Sequence, residues 1–209
     1  MIAALLLMAA GPMTAIDAER AFAADAQKMG QWTAFRKYAA DDAVMFVPER
    51  VNAQAWLKDK KDPAVSVFWW PGRSYVSCDG SVAINTGPWV REWGKQVGYF
   101  TTVWKRQPDG GWKWLLDHGD ALKTARAEGG DIKARIASCM DRPPPVEWPI
   151  AGNTAPGREV FDGGGQSRDG TLAWVWDVED GGSREIRIYV WNGKIMEQVI
   201  QDKVAAPPK

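Results

Sequence analysis

Gly98–Asp120, GYFTTVWKRQPDGGWKWLLDHGD, constrains this chain more than any other segment. Asp109-Gly110-Gly111 supplies the positive-φ positions of a tight hairpin. Phe100, Thr102 and Trp104 recur at spacing two on the first arm, and Trp112, Trp114, Leu116 and His118 on the second. The pattern predicts an antiparallel aromatic ribbon that walls a hydrophobic pocket, with the only histidine of the chain, His118, at its end.

The elements before this ribbon are helical. Ala18, Phe22 and Ala26 form one stripe over residues 16–38, Gly30 interrupts it, and Trp32, Phe35 and Tyr38 continue on a second short helix. Ala43–Pro48 predicts a strand, and Asn52 caps a third helix carrying Ala55, Trp56 and Lys60. Strands follow over residues 65–70, 73–78 and 81–93, separated by Pro71-Gly72, Asp79-Gly80 and Gly94-Lys95. Three helices followed by a curved antiparallel meander make the class α+β.

The character changes after Leu122. Asp131 predicts the cap of a helix over residues 132–140, ended by Pro143-Pro144-Pro145. Residues 142–170, rich in Pro and Gly, read as an extended linker that includes Gly163-Gly164-Gly165. A ribbon of three strands follows, over residues 171–178, 184–191 and 194–204, with Asn192-Gly193 as a hairpin signal. Leu172, Trp174, Trp176 and Val178 share one face of its first strand. Three strands alone are marginal, so that face is expected to bury itself on the main domain or on a second subunit. The organisation is thus residues 1–15, 16–124, 125–170 and 171–209: leader, main domain, helix with linker, and C-terminal β extension.

Composition narrows the function. Lys+Arg and Asp+Glu balance at 26 each, which removes the electrostatic attraction behind non-specific nucleic-acid binding. Residues 1–15, MIAALLLMAAGPMTA, are too short to span a bilayer and match the apolar core of a signal peptide, so a periplasmic or secreted protein starting near Ile16 is expected. Export and a total of two cysteines predict a Cys78–Cys139 disulfide. One histidine and two distant cysteines give no metal-like spacing, and no cofactor motif is present.

In this order, the elements over residues 16–122 resemble the nuclear-transport-factor-2-like, or cone-fold, superfamily, and within it SnoaL-like and steroid-isomerase-like proteins. The resemblance rests on Tyr38-Ala39-Ala40-Asp41-Asp42-Ala43-Val44 leading into Pro48, on Asn85-Thr86-Gly87-Pro88-Trp89, and on Gly98-Tyr99 through Trp104 into Gly111-Trp112-Lys113. It implies a cone-shaped sheet wrapped on N-terminal helices, and relatives that often dimerise through the open face of that sheet. It also implies interior positions at Met45, Val47, Asn85, Trp89, Phe100, Thr102, Trp104, Leu116 and His118, with Asp120 at the rim. Steroid isomerisation needs a carboxylate base, a tyrosine and a second carboxylic acid. The overlay puts Val47, Ala23 and Thr102 at those three positions, so that reaction is excluded.

Three functional readings follow. The first is a binder of a small apolar or amphipathic molecule in an aromatic pocket, without established catalysis. The second is a lyase, isomerase or cyclase using His118 as acid or base, with Asn85 or Thr102 donating hydrogen bonds. The third is a carbohydrate or envelope-interaction module using surface tryptophans such as those of Trp69-Trp70-Pro71. Adjacent Asp117 is expected on the opposite strand face from His118, and Asp41-Asp42 reads as turn-serving rather than catalytic.

Overall fold

The computed structural model describes residues 13–126, 130–145, 161–179 and 181–207. Most of the expected leader (1–12) and of the expected linker (146–160) lies outside them. In chain order the elements are α1 (Ala15–Met29), α2 (Gln31–Tyr38), β1 (Ala39–Phe46), β2 (Arg50–Asn52), α3 (Ala53–Leu57), β3 (Phe68–Trp69), β4 (Arg73–Val76) and β5 (Val82–Arg91). They continue with β6 (Gln96–Arg106), β7 (Trp112–Leu122), β8 (Lys133–Ile136), β9 (Gly163–Gln166), β10 (Leu172–Val178), β11 (Arg184–Trp191) and β12 (Met196–Val204).

Helix α1 starts at a capping box. The Thr14 hydroxyl accepts from the Asp17 amide while the Asp17 carboxylate accepts from the Thr14 amide. Asn52 caps α3 through the Ala55 amide, as its position predicts. These helices cover the concave face of a sheet ordered β2-β1-β7-β6-β5-β4-β8. The sheet is mixed rather than wholly antiparallel, because β1 runs parallel to β7 and β8 parallel to β4. Phe22, Trp69, Phe100, Trp104, Trp112 and Trp114 form the core between helices and sheet.

The second face of the same sheet is apolar too. Val82, Ile84, Val103 and Leu116 pack against Leu172, Trp174, Trp176, Ile186 and Ile188 of the C-terminal sheet, ordered β12-β11-β10-β9. The cover of the Leu172–Val178 face is therefore the chain's own main domain.

Two sequence expectations fail here. Residues 133–136 form β8, not a helix, because β4 offers a free edge and the Cys78–Cys139 disulfide tethers the segment beside it. Gly163-Gly164-Gly165 is not linker but strand β9. Gly163 and Gly165 lie under the indoles of Trp176 and Trp174, where a Cβ would overlap the rings, and a Cβ on Gly164 would meet the Trp174 carbonyl and Val175. The extension therefore has a fourth strand.

The seam is tied by two turns of like sequence, Ser77-Cys78-Asp79-Gly80-Ser81 and Ser167-Arg168-Asp169-Gly170-Thr171. In each, the first serine hydroxyl donates to the aspartate, at 2.7 and 2.6 Å. The turns also bond each other: the Cys78 amide donates to Thr171 Oγ1, the Asp79 amide to Asp169 Oδ2, and the Arg168 amide to Ser81 Oγ.

Truncation after Arg142 would expose Val82, Ile84, Val103 and Leu116 to water. Each such side chain is worth roughly 1.5–3 kcal/mol when fully buried. The shortened chain is expected to aggregate or to lose several kcal/mol, read by size-exclusion chromatography and urea unfolding.

Candidate functional site

The decisive local feature is a β-bulge in β7. Trp104 pairs with Trp114 and Val103 with Leu116, so Leu115 is an extra residue with no partner on β6. The insertion breaks the spacing-two rule that the sequence suggests. Trp112 and Trp114 face the helices, but Leu116 and His118 turn to the C-terminal sheet. Asp117, not His118, faces the concave side, where Thr102 Oγ1 donates to its Oδ1 at 3.2 Å.

A cavity of about 250 Å³ opens within the cone. Phe22, Trp32, Phe35, Trp69, Trp89 and Phe100 supply aromatic walls, with Met45, Val47, Thr102 and Asp117 beside them. The lining then passes around the β7 edge to Phe46, Tyr99, His118, Asp120 and Arg184 on the second face. That edge is open because β1 pairs with β7 only as far as Met45 opposite Asp117. Of the positions implied by resemblance, Met45, Val47, Trp89, Phe100, Thr102 and His118 line the cavity. Gly98 makes room for Trp89, since a Cβ there would overlap the indole.

The other three lie elsewhere. Leu116 is on the second face because of the bulge. Trp104 and Asn85 sit beneath the cavity and hold Glu19, which is 0% exposed. Glu19 Oε1 accepts from Trp69 Nε1 at 2.8 Å, and Oε2 from Trp104 Nε1 at 2.6 Å and Asn85 Nδ2 at 3.3 Å. This carboxylate ties α1 to β3, β5 and β6. Helical spacing does carry a signal of it, one that the stripe of Ala18, Phe22 and Ala26 leaves out: Glu19 lies on the same face as Ala15, Phe22, Ala23 and Ala26, an acid set within the apolar stripe.

Electrostatics follow from burial. Desolvation raises Glu19 to about 7, against three lowering hydrogen bonds and with a further raise from nearby Asp117. Desolvation likewise raises Asp117 to about 7, partly offset by Thr102 and the Arg184 charge. His118 is 2% exposed and is lowered to about 3, first by burial and then by the Arg184 and Arg126 charges. It is neutral at pH 7. Asn85 and His118 lie on opposite faces of the sheet, so they cannot act together on one reacting atom. Asp41 and Asp42 are exposed on β1, and Trp69 is buried while Trp70 is half-buried beside Phe68. Among the described residues, no three His, Cys, Asp or Glu side chains gather as a metal-ligand set.

No family model matches the chain, and no curated protein matches it. Similar solved structures include a candidate ketosteroid isomerase from Parabacteroides distasonis, 19% identical over 52% of this chain and 88% of the other, with a TM-score of 0.42. A nuclear-transport-factor-2-like superfamily protein from Salmonella enterica is 16% identical over 56% and 94%, with a TM-score of 0.38. A cystatin-like fold protein from Burkholderia xenovorans is 15% identical over 53% and 88%, with a TM-score of 0.35.

The raised carboxyls give a signed pH dependence. From the ordinary values of 4.5 and 3.8 up to about 7, the folded chain binds more protons at Glu19 and Asp117 than the unfolded chain. Their contribution to stability is complete at low pH and is lost as pH rises through about 7. His118 opposes this only below its unfolded value of 6.5, because its folded value is lowered. Between pH 6.5 and about pH 8 the melting temperature is therefore expected to fall. Asp117→Asn is expected to flatten that fall, read by calorimetry across the range.

Proposed function

We propose that this chain is an exported protein that binds a small apolar or amphipathic molecule in the cone. The observation that carries the reading is the aromatic-walled cavity of about 250 Å³ closing, on its concave side, on Asp117, hydrogen-bonded to Thr102. Concave, largely apolar cavities with few polar groups are the usual form of such sites. The polar lining on the concave side is Asp117 with Thr102 and Gln31. The positions occupied by Val47 and Thr102 line the cavity, and Ala23 is buried in the core, so the groups needed for steroid isomerisation are missing there.

A second reading, proton-transfer catalysis, is favoured by one observation: Asp117 is raised to about 7, near the working pH of a general base. Loss of turnover with retained binding in Asp117→Asn would distinguish this reading from binding alone.

Export is supported by the Cys78–Cys139 disulfide, which suits an oxidising compartment. Among the described residues, no helix is long and apolar enough to cross a membrane. The Met13 carbonyl accepts from Trp112 Nε1, and Thr14 caps α1, so cleavage near Ile16 would remove both contacts. A processed chain is therefore expected to start at or before Met13. N-terminal sequencing of exported protein checks this, and a start at Ile16 would contradict it.

Binding is tested by titrating a neutral environment-sensitive apolar dye. Trp89→Ala is expected to weaken it by roughly 1–3 kcal/mol through lost contact area. Trp191→Ala, whose indole bonds the Met140 and Asp141 carbonyls far from the cavity, is expected to leave it unchanged. Equal effects of the two substitutions would contradict the reading.

A further inference from the structure

Where the cavity rounds the β7 edge, its lining includes polar atoms that the fold leaves without partners. His118 and Tyr99 are 2% and 3% exposed. Among the described residues, Nδ1 and Nε2 of His118, the Tyr99 hydroxyl and Arg184 Nε have no hydrogen-bond partner. All three side chains line the cavity. They belong together: Tyr99 and Thr101 stand opposite Asp120 and His118 across the β6–β7 ladder, and the Tyr99 and His118 rings are 6.2 Å apart. Arg184 reaches across from β11, donating Nη2–H to the Gly119 carbonyl at 2.8 Å and lying over the Phe46 ring. Buried polar groups without partners cost free energy, so four such atoms on one cavity wall mark the place of a polar ligand group.

We propose, resting on the cavity-binding reading above, that the ligand is an amphiphile whose carboxylate sits against Tyr99, His118 and Arg184 while its apolar body fills the aromatic part of the cone. The donor inventory selects this head. Tyr99 offers O–H, neutral His118 one N–H, and Arg184 Nε–H, a convergent set for an oxygen anion. The local field has the same sign. At His118, Arg184 and Arg126 both disfavour a proton, and at Tyr99 the same two arginines oppose Asp202 and Asp120. The nearby acids are already engaged. Asp202 accepts from Arg126 at 2.6 Å and Thr101 at 3.0 Å, and Asp120 accepts from the Ala121 amide at 2.8 Å. Arg126 also lies over the Tyr99 ring, 3.8 Å from its centroid. A cationic head would have to compete with Arg184 for Asp120, and would otherwise find its acceptor at Asp117, on the concave face.

The test uses three probes sharing one naphthyl body: naphthylacetic acid, naphthylethanol and naphthylethylamine, titrated by calorimetry. The acid is expected to bind roughly tenfold tighter than the alcohol and the amine, the scale of one charge-assisted hydrogen bond. Tyr99→Phe and Arg184→Met are each expected to remove most of that preference, with the alcohol unchanged within about twofold. Because Tyr99→Phe deletes an unpartnered oxygen, its melting temperature is expected to hold or rise, separating lost binding from lost fold. The chain has one histidine, so its ring nitrogen resonances are read without ambiguity. They are expected to move when the acid saturates the protein and to move less with the alcohol. An amine that binds as tightly as the acid, or a preference that survives Tyr99→Phe, would overturn the carboxylate assignment. If all three probes bind equally and Trp89→Ala weakens all three, the cavity reading stands and the carboxylate is wrong. If none binds, both are overturned.

Discussion

A sheet that is apolar on both faces cannot stop folding when one face is covered. Here the concave face carries Phe100, Trp104 and Trp114, and the other carries Val82, Ile84, Val103 and Leu116. Helices satisfy the first, and a second sheet must satisfy the other. The remaining features follow from that double cover. The C-terminal segment has to return to β5 and β6, so it is pinned at the turn pair around Asp79 and Asp169 and by the Cys78–Cys139 bond. Edge β4 gains β8 because the disulfide holds that stretch alongside.

Between the covers, polar groups survive only where geometry provides for them. Glu19 is tolerated because indole N–H groups from two strands and an amide from a third meet its oxygens. Removing one donor would leave a charge with too few partners, which is why the group belongs to the scaffold although it lies close to the cavity. Asp117 is different. It has one hydrogen bond, from Thr102, and a face toward open space. The contrast between a fully held acid and a half-held one separates structural from functional carboxyls more clearly than acidity, since both are raised to about 7.

Much of the architecture was legible in the chain. Gly30, Asn52 and the Asp109-Gly110-Gly111 turn mark real boundaries, and the Leu172–Val178 face did need a partner. The cavity was legible as an aromatic set, with Met45, Val47, Trp89, Phe100 and Thr102 on its wall. What failed was anything that depended on register or on a distant neighbour. No local signal announces an extra residue at Leu115, so the facing of Leu116, Asp117 and His118 came out reversed. Gly163-Gly164-Gly165 looked like linker because nothing nearby reveals the indoles of Trp174 and Trp176 that lie over it. Asp79-Gly80 was legible as a turn, but its counterpart at Asp169-Gly170 fell within the expected linker, and the pairing of the two is a tertiary fact.

The bulge at Leu115 also bears on how such a scaffold could change over evolutionary time. A strand repeats every two residues, so one inserted or lost residue exchanges the occupants of its two faces downstream. In the present register a carboxyl looks into the cone and an imidazole looks at the seam. A single codon deletion at this position would exchange them, giving the interior a neutral base and the seam an acid, with the strand still paired. Chemistry in this architecture can therefore be revised by indels as well as by substitution, and aligned columns past the bulge need not hold residues that point the same way.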